Sequence, residues 1–152
     1  MKKKAFILVG HASWGKSRTM HALKGTSKRI FYIEINGIWM VIRTQSNDDI
    51  KEELLRRIQD IIKRGNEYMI IVLCPVFKKG DEKNATEILD SIKKEYDIYF
   101  FVLHKKWGFD RFIHENEIDK LKEYGKVKVF KESEDCTERA KEFKRYIQNN
   151  LN

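Results

Sequence analysis

Apolar positions along the chain follow two alternating rhythms. The runs at residues 5–9 (AFILV), 68–77 (YMIIVLCPVF) and 98–107 (IYFFVLHKKW) are almost continuously apolar, as in strands buried on both faces. Elsewhere the apolar residues recur every three or four positions. Residues 49–64 set Ile50, Leu54, Leu55, Ile58, Ile61 and Ile62 on one helical face, with Asp48 and Asp49 at the start and Gly65 at the stop. Helices are likewise predicted over 15–23, ending at Gly25, and within 85–96 (ATEILDSIKKEY), 116–125 (NEIDKLKEYG) and 137–150, with a short strand at 126–130 (KVKVF). Residues 29–44 (RIFYIEINGIWMVIRT) divide at Asn36-Gly37, the dipeptide that best supports a tight primed turn, and predict an antiparallel hairpin.

Strands alternating with helices predict an α/β fold of three layers, a mostly parallel six-stranded sheet with helices on both faces. The hairpin supplies the one antiparallel strand, at an edge. In such a sheet ligands are expected at the carboxyl ends of the strands. The chain has 152 residues, 41% of them apolar and 12% aromatic, with a single proline, so residues 1–152 are expected to form one domain around one core.

Charge and cysteine usage narrow the partners. Lys+Arg 31 against Asp+Glu 23 leaves +8, which favours polyanions. The basic residues are interleaved with glutamates, in stretches such as TERAKEFKRYIQ (137–148), as on solvated helix faces, so they add little to a nucleic-acid partner. Cys74 and Cys136 have no CxxC or Cys/His ligand spacing, which argues against zinc and disulfides and for the reducing cytoplasm. No segment has the length of a membrane span, so no membrane partner is expected. Cys74 is expected in the core, and His21, His104 and His114 at or near the surface.

The apolar start runs into ILVGHASWGKS (7–17), where Gly10, Gly15, Lys16 and Ser17 satisfy G-x-x-x-x-G-K-[ST] between a predicted strand and a predicted helix. Glycines let the backbone curl so that successive N–H groups point inward, and the helix N-terminus adds its positive dipole end. Gly10, His11, Ala12, Ser13, Trp14, Gly15, Lys16, Ser17 and Arg18 are therefore expected to bind the phosphates of a nucleoside triphosphate, ATP or GTP. Lys16 reaches the β- and γ-phosphates, carries the catalytic role and is expected to face solvent in the empty loop. Ser17 offers its hydroxyl to Mg²⁺. His11 and Trp14 are expected on the outer side of the loop, with a second reading in which Trp14 covers the nucleotide and His11 leans toward the terminal phosphate.

The succession of strand, phosphate loop, helix, hairpin, helix and further strand–helix pairs resembles the Ras-like domain of the P-loop NTPase superfamily over nearly the whole chain. GKSRTMHALKGTS (15–27) is similar to the first helix of the small bacterial-type GTPases, where a metal-binding threonine follows, which implies Thr26. The family's D-x-x-G would fall on RTQSNDD (43–49), where no such motif stands; Asp48 then either assists the metal or caps the next helix. The guanine-reading N-K-x-D would fall at His104, Lys105, Lys106 and Trp107, so the base-reading carboxylate is missing. Lys105 and Lys106 remain to cover a purine with their alkyl stems.

The resemblance implies slow Mg²⁺-dependent hydrolysis or a nucleotide-dependent switch in which 44–50 and Thr26 become ordered. No water-activating residue can be assigned, which leaves room for a protein partner completing the site. Two other readings stand beside it. One is a small-molecule, nucleotide or polynucleotide kinase, similar to the small P-loop kinases, with KKWGFDR (105–111) as a lid. The other is a non-enzymatic nucleotide-binding module.

Overall fold

The computed structural model describes residues 2–25, 30–106 and 110–151. Its strands are β1 (Lys3–Val9), β2 (Ile30–Ile35), β3 (Ile38–Arg43), β4 (Tyr68–Leu73), β5 (Tyr96–Leu103) and β6 (Gly125–Phe130). Its helices are α1 (Lys16–Lys24), α2 (Asn47–Arg64), α3 (Thr86–Lys93), α4 (Glu115–Lys122) and α5 (Cys136–Asn149). The strands form one six-stranded sheet in the order β2-β3-β4-β1-β5-β6. All neighbours are parallel except β2 and β3, which are joined through Asn36 and Gly37 at positive φ, 51° and 81°, as a primed turn requires.

The three continuously apolar runs are the three central strands. From Ala5 to Val9, Met69 to Leu73 and Phe100 to Leu103 every residue is buried. Val9 lies beside Leu73 on one side and Val102 on the other, so the chain leaves three adjacent strands at one level. Right-handed crossovers then sort the helices. The step from β1 to β3 runs opposite to the later steps, which places α1 on one face of the sheet, packed with α5, and α2 with α3 on the other.

The apolar stripe predicted for 49–64 holds at Leu54, Ile58 and Ile61, which are buried, but not at Ile50. Ile50 is 52% exposed and non-helical, with φ −135° and ψ 92°, so the first turn of α2 is separated from the rest. Asn47 accounts for the break. Fully buried, it donates from Nδ2 to the carbonyls of Cys74 (2.9 Å) and Lys83 (2.6 Å) and accepts the Cys74 N–H at Oδ1 (2.7 Å). This tether aims the first turn at the end of β4, and the helix axis resumes only after Ile50. Among the described residues no helix is long and apolar enough to cross a membrane.

Candidate functional site

Residues 10–15 connect the end of β1 to α1 beside the ends of β4 and β5. Gly10 donates its N–H to the Leu73 carbonyl at 3.1 Å, which extends the β1–β4 pairing into the loop. Ser13 and Gly15 take positive φ, 66° and 86°, on either side of Trp14. Alternation of this kind turns successive N–H groups toward a shared concavity. The loop opens on a cleft of about 740 Å³ whose walls include Gly15, Lys16, Ser17, Arg18, Asp48 and Lys106. That volume is in the range of small-molecule sites.

Lys16 is not solvent-facing in this structure. It is 7% exposed, and its Nζ donates to the Gly10 carbonyl at 2.6 Å and to Asp48 Oδ2 at 3.3 Å. The loop folds back over the lysine stem, and the carboxylate brought in by α2 takes up its charge. Asp48 does not cap α2. Ser46 is the N-cap, and its N–H donates to Asp49 Oδ2 at 3.1 Å, so the capping role falls to Asp49 and Asp48 is left to the cleft. Asp48 Oδ1 is buried and, among the described residues, has no hydrogen-bond partner.

No family model matches this chain, and no curated protein matches its sequence. Among solved structures, the FeoB G-domain from Methanococcus jannaschii superposes with a TM-score of 0.52 at 18% identity, over 98% of this chain and 97% of that one. The chain shares the overall fold of that domain.

Within this fold His11 faces away from the cleft, as expected, whereas Trp14 does not sit where the sequence reading has it. Trp14 is 4% exposed and belongs to the hydrophobic core, packing under the loop rather than on its outer side. Its ring meets the edge of His11 at 5.1 Å. The His11 imidazole turns toward α4: Nε2 lies 3.0 and 2.8 Å from the two Glu117 oxygens, and Nδ1 lies 3.7 Å from Cys74 Sγ. Hydrogen bonds to Cys74 and Glu117 outweigh burial and push the His11 pKa up to about 9. Burial would raise Glu117, but the bonds from His11 and from the His114 N–H hold it below the usual range.

The far end of the cleft is built by loops that follow β5 and β6. Lys106 lines it; Lys105 pairs with Glu134 at 3.0 Å. Glu134 and Asp135, from the loop after β6, also line this end. Asp135 is already engaged as the N-cap of α5, its Oδ1 accepting the N–H of Thr137 at 2.7 Å and of Glu138 at 3.2 Å.

Arg139 is the residue that sequence reasoning missed. TERAKEFKRYIQ does not form a wholly solvated face: Arg139 is 3% exposed and shares the inner stripe of α5 with Ala140, Phe143 and Ile147. An arginine at a core-facing helical position was the available signal. Ala12, Ser13, Ser17 and Arg18 are exposed. Thr26 and, from the segment 105–111, residues 107–109 lie outside the described residues.

Proposed function

We propose that this chain binds a nucleoside triphosphate through its phosphate loop and, with Mg²⁺, hydrolyses it slowly or switches with it. The strongest support is the meeting of Lys16 and Asp48 inside the loop's concavity, at 3.3 Å. A lysine charge held at the N-terminus of α1, beside converging N–H groups, is ready for an anion of high charge. When a triphosphate enters, the Lys16 ammonium exchanges Asp48 for phosphate oxygens and Asp48 is released. Backbone N–H groups of residues 13, 15 and 16 and the Lys16 charge then stabilise negative charge on the β- and γ-phosphates as it redistributes during bond cleavage, while the Trp14 N–H stays with the His11 carbonyl.

The residues present fit Mg²⁺. Asp48 brings a buried carboxylate oxygen with no partner among the described residues, and Ser17 brings an exposed hydroxyl at the same cleft. These are hard oxygen donors. Among the described residues no group of three His, Cys, Asp or Glu side chains forms a complete cage, which accords with an ion that takes its other ligands from phosphate and water. Bound there, the ion would neutralise phosphate charge. No group in the cleft is assigned to activate water, so turnover by the chain alone is expected to be slow, with a protein partner left to complete the site.

Calorimetric titration with ATP and GTP, each with and without Mg²⁺, tests this directly. Mg²⁺-enhanced binding of either nucleotide is the expected result. Absence of binding to both in all conditions would refute the reading.

A further inference from the structure

We infer that Arg139 is a positioning residue that rivets the phosphate loop to the loop after β5, so that the two ends of the cleft recognise phosphate and nucleoside as one unit. This rests on the nucleotide reading proposed above. Arg139 reaches from the inner face of α5 with both terminal nitrogens engaged. Nη1 donates to the Trp14 carbonyl at 2.8 Å, and Nη2 donates to the Lys105 carbonyl at 3.3 Å. A planar guanidinium can hold two carbonyls from separate segments in one fixed fork, which an ammonium cannot reproduce.

The loop is built to receive this group. A Cβ added at Gly15 would lie 3.2 Å from Arg139 Nη1 and 3.6 Å from Cys136 Sγ, on a backbone with φ +86°. Gly15 thus serves a turn and leaves a seat for the guanidinium. The bond to the Trp14 carbonyl also fixes the plane of the peptide that follows. Because a trans peptide sets C=O and N–H on opposite sides, the Gly15 N–H is turned away from the guanidinium. One side chain therefore orients a donor of the phosphate loop and simultaneously holds the backbone beside Lys106.

The electrostatics point the same way. Arg139 is buried and its two donations go to neutral carbonyls, while Nε, among the described residues, has no partner. A buried cation with no carboxylate in hydrogen-bond contact is costly when the cleft is empty, and the nearby Glu134 offsets only part of that cost. An anion entering the cleft compensates part of that charge, and the gain is larger in a partly water-excluded wall than in bulk solvent.

Arg139→Gln and Arg139→Lys, titrated with inorganic tripolyphosphate, ATP and GTP in the presence of Mg²⁺, provide the test. Wild-type protein should bind a nucleoside triphosphate more tightly than tripolyphosphate. Arg139→Gln, which loses the charge and the fork, should bind all three about tenfold or more weakly. Arg139→Lys keeps a charge and one donor for the Trp14 carbonyl but cannot also span to Lys105. It should bind tripolyphosphate within about threefold of wild type and lose the nucleoside advantage.

A purely structural role would lower the melting temperature without altering this split between ligands. Arg139→Lys retaining the full nucleoside advantage, or folded Arg139→Gln binding as wild type does, would overturn the inference and leave the nucleotide reading standing. Wild-type protein that binds none of the three ligands would overturn both.

Discussion

At the residue scale the decisive pair is Lys16 and Asp48, because each is nearly buried and each answers the other's charge. Lys16→Ala removes the ammonium and leaves the Asp48 carboxylate, 12% exposed, without its cation. It should abolish triphosphate binding and also destabilise the empty protein by about 1–3 kcal/mol, the cost of an unsatisfied buried group. Asp48→Asn should behave differently in binding. The cap of α2 belongs to Ser46 and Asp49, and an amide oxygen can still accept from Lys16, but the buried ammonium loses its counter-charge, so this change should also cost about 1–3 kcal/mol while weakening the Mg²⁺-dependent part of binding. Denaturant unfolding beside calorimetry separates the two effects, and unchanged Mg²⁺-dependent binding in folded Asp48→Asn would contradict a metal-assisting role for Asp48.

His11 carries a second prediction at this scale. Its pKa is raised from 6.5 to about 9 by the bonds to Cys74 and Glu117, so its contribution is fully present below pH 6.5 and is lost as pH rises through 9. The melting temperature of the wild-type protein should fall between those values, and Glu117→Gln should flatten the fall. Identical pH profiles for the two proteins would show that the contact to α4 contributes nothing to stability.

At the element scale, the connection from β3 to α2 was expected to be mobile until nucleotide arrives. The structure gives it a tether: Thr44, Ser46 and Asn47 are buried, and Asn47 bonds to Cys74 and Lys83 across the end of β4. Nucleotide-linked ordering should therefore be confined to the break at Ile50. In hydrogen exchange, residues 46–49 should be protected even in the empty protein, and protection gained with Mg²⁺ and triphosphate should centre on residues 50–52. Asn47→Ala should abolish the early protection and cost about 2 kcal/mol, since it strands the buried N–H of Cys74, whose carbonyl keeps the Val76 N–H. Rapid exchange over 46–49 in the empty wild-type protein would restore the mobile connection.

At the scale of the whole molecule, the cleft is assembled from segments leaving β1, β3, β5 and β6. Glu134 Oε1 pairs with Lys105 and Asp135 Oδ1 caps α5, so each carboxylate is oriented by a protein contact and not by a base-reading motif. ATP and GTP should bind within about tenfold of each other, or about 1.4 kcal/mol, in competition experiments. A hundredfold preference for GTP would mean that a carboxylate of the cleft, Glu134 or Asp135, reads the base.

Periodicity and local motifs by themselves determined the order of strands and helices, the hairpin at Asn36-Gly37, the parallel sheet and the glycine-bearing turn between β1 and α1, because each depends on contacts between residues near in sequence or on the rhythm of burial. The extent of α2 was legible, since Leu54, Ile58 and Ile61 repeat with the helical period, but the break at Ile50 was not, since it arises from Asn47 bonding to β4 and to Lys83. Only the tertiary structure decided that Lys16 is buried against Asp48, that His11 faces Glu117 and Cys74, and that Arg139 supports the loop from 125 residues away in the chain. Each of these is a pairing of polar groups from elements distant in sequence. Such pairings are set by where the sheet order brings strand ends and helix termini together, a geometry that local sequence patterns do not encode.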